Sequence, residues 1–147
     1  MKYLHFFDDK KALAYVEGSP VEDIDRLEEE LGVRIPEALR EYLLLMGVKP
    51  IGNVYDEHGT KDMKMLQEWI YEDIEEYRAQ GFALHEIKTI LPFEKAMDNY
   101  FYVPVEDGLE DPPVMTLVIG ATPTVKKVND SVTGLVRWQY EWLLKTL

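Results

Sequence analysis

The chain has 147 residues, with 28 Asp and Glu against 16 Lys and Arg, a formal net charge of −12, and no cysteine. The absent thiols exclude disulfides, thiolate nucleophiles and cysteine-held zinc or iron–sulfur centres. The acidity disfavours nucleic acid and anionic membranes as partners and favours basic proteins.

The length suits one domain, expected over residues 1–147, with a core large enough to need no covalent staple. Near the N-terminus, Asp8, Asp9, Lys10 and Lys11 interrupt the apolar residues before a secretory core can form. No run approaches the ~20 apolar residues of a membrane span. A cytoplasmic protein is expected, and the lack of cysteine fits a reducing compartment.

Residues 3–16 mix aromatic and charged side chains and are expected to be helical. The best-marked element follows. Ser19, Pro20 and Glu22 form a capping-box pattern, and Val21, Ile24, Leu27 and Leu31 recur at helical spacing. Gly32 then offers a left-handed terminator, so a helix is predicted over 20–31. After a short link, Pro36 opens a second helix, with Leu39, Tyr42, Leu43 and Met46 on its buried stripe and Gly47 at its end. Residues 48–60, with Pro50, Gly52, Asn53 and Gly59, read as strand fragments and turns. A third helix is predicted over 62–79, burying Met65, Leu66, Trp69, Ile70, Ile74 and Tyr77.

From there the pattern changes. Residues 88–93, 99–103, 114–119 and 124–128 are short β-branched and aromatic runs separated by Asp98, Gly108, Pro112, Pro113, Gly120 and Pro123. Such spacing predicts an antiparallel meander. Asn129, Asp130 and Ser131 then cap a final helix built on Val132, Leu135, Val136, Trp142, Leu143 and Leu147. Segregated helices and strands indicate an α+β fold, a mostly antiparallel central sheet flanked by helices.

Chemistry-bearing patterns are scarce. His5, His58 and His85 fall in different elements without HxH or HExxH spacing, so no metal site is expected. There is no GxSxG elbow and no glycine-rich phosphate loop. With 28 acids, a hydrolase-like carboxylate pair cannot be told from chance. No catalytic residue and no cofactor are assigned. The acid itself is unevenly placed: residues 17–30 sum to −6, 62–76 to −5 and 106–111 to −4, leaving +3 for the rest. The first two groups lie on predicted helix faces. The third, Glu106, Asp107, Glu110 and Asp111, lies on a loop, where recognition residues concentrate. Asp56 and Glu57 are the second choice for partner contact. Trp69 and Trp142 are assigned to the core, whereas Trp138 falls off its helix's apolar stripe and is expected to be an exposed contact.

The run from Gly18 to Leu45 resembles the N-terminal signature of the SUKH superfamily, the Smi/Knr-like proteins. The matching positions are Ile24, Leu27, Glu28, Leu31, Gly32, Ile35, Pro36, Leu39, Arg40, Tyr42 and Leu43, and Asp130-Ser131 matches the family's later "DS". Val132 and Met97-Asp98 stand where the family usually has a Phe and a Gly-rich stretch. The resemblance implies an α+β fold and no catalysis. Its bacterial members are mostly immunity proteins that bind and block a polymorphic toxin, and its fungal members regulate cell-wall assembly through protein contacts. It therefore implies either a cognate toxin as partner, which the net charge of −12 leads one to expect to be a basic, nuclease-type domain, or a regulatory scaffold role without a toxin.

Overall fold

The computed structural model describes residues 1–52, 57–84 and 87–147. In chain order, these residues form α1 (Lys10–Tyr15), α2 (Val21–Leu31), α3 (Glu37–Met46), β1 (Glu57–His58), α4 (Met63–Ala79), β2 (Ile90–Ala96), β3 (Asn99–Pro104), β4 (Val114–Val118), β5 (Thr124–Asn129) and α5 (Val132–Thr146). The fold is α+β, as the sequence predicts.

The five strands form one sheet in the order β1-β2-β3-β4-β5, every neighbouring pair antiparallel. Alternation along the strands divides their apolar residues between two faces. Leu91, Phe93, Val103 and Val114 join a core with α1, α2, α3 and α5. Ile90, Tyr100, Tyr102 and Leu117 join a second cluster with Leu66, Ile70, Ile74 and Tyr77 of α4. Pro92 lies within β2 yet breaks no ladder there, because β1 pairs only with Glu94 and Lys95.

Helix ends follow from named side chains. Asp9 Oδ1 accepts from the N–H groups of Lys11 and Ala12 and starts α1. Gly32, at φ +70°, closes α2 in the left-handed conformation that only glycine adopts without strain. Ser131 Oγ accepts from Gly134 N–H at 2.9 Å and caps α5. A Cβ on Gly134 would come within 2.2 Å of Asn129 Oδ1. The wrapped cap therefore explains why a residue of poor helix propensity stands there.

Several expectations are corrected. Helix in the first segment is confined to Lys10–Tyr15; the residues before it form turns that bury Leu4 and Phe7. The capping box at α2 does not form. Ser19 Oγ instead bonds Thr60 Oγ1 at 2.6 Å, and Ser19 N–H donates to the Leu43 carbonyl. Val21 is 44% exposed rather than part of the buried stripe. In α4, Met63 is fully buried and Met65 only half. Trp142 and Leu147 are exposed, and Tyr140 takes the core place on α5. The Tyr140 ring lies 4.6 Å from that of Phe7, and its hydroxyl accepts from Asp9 N–H and donates to Asp8.

Candidate functional site

The four loop acids look alike in sequence, but the structure divides them into two kinds. Helix α3 begins after Pro36, which has no side-chain oxygen to offer its first N–H groups. Glu110 supplies them from a distance of 73 residues. Its Oε2 accepts from Glu37 N–H at 2.9 Å and its carbonyl from Ala38 N–H at 2.9 Å, while Oε1 pairs with Arg34. The bond from Glu37 N–H, then Arg34, holds the Glu110 carboxyl below the usual carboxylate range. Asp111 Oδ1 does the same at α5, accepting from Thr133 N–H at 3.1 Å. Two of the four predicted contact residues thus anchor helix N-termini, where a negative charge is favoured.

Glu106 and Asp107 are exposed at the tip, beside Gly108 at φ +79°. Among the described residues, no hydrogen bond or ion pair engages either carboxylate. They are the loop's available charge.

The second-choice pair divides differently. Asp56 lies outside the described residues. Glu57 sits half-buried in β1 opposite Lys95, and its charge, with those of Asp73 and Glu72, helps keep the Tyr100 hydroxyl protonated. Burial is the first cause of that upward shift, and the bond from Tyr100 to Asp73 at 2.6 Å the second. Trp138 is 64% exposed on α5, as expected from its place on the helix.

Other acids that a reader of the sequence would assign to the solvent are internal acceptors. Glu28 Oε2 accepts from Ile35 N–H and ties the α2–α3 link. Glu41, buried in α3, accepts from both Tyr3 and Leu4 N–H and pins the N-terminal turn. Asp62 accepts from His58 N–H. The remaining acid concentrates on the exposed faces of α2 and α4. These helices, about 40 residues apart in sequence, touch each other; Glu22, Glu29 and Glu30 of α2 and Glu68, Glu72 and Glu76 of α4 are exposed.

Of the histidines, His5 is exposed and His85 lies outside the described residues. His58 is buried, with Nε2 3.0 Å from the Met46 carbonyl and Nδ1 3.3 Å from Glu94. Its ring links β1 to the end of α3 and to β2. Its neighbour Tyr42 is kept protonated by burial and then by the Glu94 charge. Among the described residues, no three His, Asp or Glu converge as metal ligands.

The exposed acid thus lies on helix faces and one loop tip. The model of the SMI1 / KNR4 family (SUKH-1) matches residues 18–138. The chain belongs to this family. No curated protein and no solved structure matches it.

The SMI1 / KNR4 match begins at Gly18, where a Cβ would lie 1.8 Å from the Leu44 carbonyl oxygen. The signature positions that follow are accounted for by packing and caps. Ile24, Leu27, Leu31, Ile35, Leu39, Tyr42 and Leu43 are buried, Gly32 terminates a helix, Glu28 holds the link and Arg40 pairs with Asp25. Membership of the SMI1 / KNR4 family thus rests on the scaffold. Glu106, Asp107 and the exposed acids of α2 and α4 lie outside these signature positions.

Proposed function

We propose that this protein is a non-catalytic binding module of the cytoplasm that neutralises a cognate toxin by direct contact, the toxin being a basic, nuclease-type domain. The observation that carries the reading is the pair Glu106 and Asp107. They are exposed, uncommitted and held on a loop whose other two acids anchor it to α3 and α5. A nuclease must be cationic to hold its substrate, and an acidic surface on a preorganised loop meets such a protein quickly and without ordering cost. The family supports a protein-binding role. Trp138 is proposed as an accessory aromatic contact.

The test is genetic and direct. The product of the gene adjacent to this one is expressed with and without the chain. Growth arrest relieved by the wild-type chain, and a stable complex on co-purification, are the expected results. A neighbouring product that is harmless and does not bind would favour the regulatory, toxin-free role.

A further inference from the structure

Helix α4 crosses its face of the sheet on a diagonal. It starts at β1, where Asp62 holds His58, and ends near the β4–β5 turn, where the Tyr77 hydroxyl bonds both the N–H and the carbonyl of Gly120. One corner of that face is left open: the end of β3, the start of β4 and the adjoining part of β5. The apolar alternation nevertheless continues through it. Tyr102 and Ile90 form a buried floor, and Met115, Val125 and Val105 stand half-buried around it. They enclose a groove of about 550 Å³, within the range of sites that accept a ligand group.

The mouth of this groove is polar and is part of the acidic loop. Val105 N–H donates to the Thr89 carbonyl at 3.0 Å, which continues the β2–β3 pairing and sets Lys88 beside Glu106. Asp107 follows at the tip. The mouth thus carries the Glu106 carboxylate and the Lys88 ammonium group, with Asp107 on the adjoining loop tip, on a chain of net charge −12.

We propose that this groove receives an apolar side chain which the partner presents next to a Lys or Arg, the apolar group on the Tyr102–Ile90 floor beside Met115 and the cation at Glu106, with Asp107 adjoining on the loop tip. This rests on the reading of the protein as a binder of basic proteins and names the recognition element. An apolar lining selects the anchor, because burying a polar group there without a hydrogen bond is unfavourable. The carboxylates select its neighbour. Lys88 works against the cation, so removing its charge should tighten binding.

The probe is the peptide Ac-Lys-Lys-Phe-Lys-Lys-amide, titrated into protein labelled at the methionine methyl carbons, with the Met115 signal identified from a Met115→Leu variant. Saturable movement of the Met115 methyl is expected. Replacing Phe with Ala in the peptide, or every Lys with Glu, should weaken binding at least tenfold. Glu106→Gln with Asp107→Asn should weaken it severalfold, and Lys88→Gln should strengthen it. Val125→Trp, which fills the groove without adding charge, should abolish the Met115 response; unchanged far-UV circular dichroism and melting would show that the variant is folded. Equal binding of the Phe and Ala peptides, or of the Lys and Glu peptides, would overturn the proposal. A toxin complex that forms unchanged in Val125→Trp would remove the groove and leave the proposed function standing. Peptide binding with no toxin complex would do the reverse.

Discussion

Glu110 provides the sharpest check on how the acidic loop is divided. Its carboxylate serves the first N–H of α3, which Pro36 leaves without a local acceptor, and it pairs with Arg34. Loss of a helix N-cap costs about 0.5–2 kcal/mol. Arg34 is largely exposed, so its ion pair adds at most ~1 kcal/mol. Glu110→Ala should therefore destabilise by about 2 kcal/mol, which for a domain of this size lowers the melting temperature by ~4–8 °C. Glu106→Ala and Asp107→Ala, equal in charge change and only a few residues away, should stay within about 0.5 kcal/mol of wild type. The assay is urea unfolding followed by circular dichroism, at pH values from 3 to 8. Because folding lowers the Glu110 pKa, its stabilisation is present above the unfolded value of about 4.3 and is lost as pH falls through the folded value. The gap between wild type and Glu110→Gln should thus be constant near neutrality and close below about pH 4. Equal stability of the two at pH 7, or a gap that widens on acidification, would refute the assignment.

Other substitutions test other parts of the structure. Gly47→Ala places a Cβ 2.4 Å from Ser19 Oγ and 2.5 Å from the Leu43 carbonyl oxygen, and should cost roughly 1–3 kcal/mol by overpacking in denaturant titrations. Met97 holds φ +57° in the two-residue β2–β3 turn, so Met97→Gly should stabilise the fold by about 0.5–1 kcal/mol, read as a higher denaturant midpoint. Ser19→Ala and Thr60→Ala remove the two halves of one partly buried hydroxyl pair, and a double-mutant cycle should show coupling of about 1 kcal/mol. Trp138→Phe should leave stability within about 0.5 kcal/mol of wild type while reducing the acrylamide-quenchable part of the tryptophan fluorescence, because Trp138 is the most exposed of the three tryptophans.

What the sequence made legible is what depends on local order. The stripe Ile24, Leu27, Leu31 with Gly32 behind it specifies a helix and its end by spacing and backbone freedom alone, and the structure agrees. The meander was equally plain, since β-branched runs a turn apart have few other arrangements. Errors arose wherever a distant group competes. Ser19 has the local pattern of a cap, but Thr60, 41 residues on, takes its hydroxyl. Trp142 and Tyr140 are both plausible core residues on one helix, and only the position of Phe7 and Asp9 decides between them. The loop is the same case. Nothing near Glu110 or Asp111 announces that the N-termini of α3 and α5 will be brought to them, whereas Glu106 and Asp107 meet no such group. The groove was invisible because its walls come from separate strands and from the segment after α4.

In the proposed function, a negative surface on a fixed scaffold meets a positive protein. This is tested most directly by the association rate with the product of the adjacent gene, measured by stopped-flow fluorescence from 20 to 500 mM NaCl. The expected rate falls at least tenfold across that range for wild type, and less for Glu106→Gln with Asp107→Asn. A rate indifferent to both salt and these substitutions would contradict it.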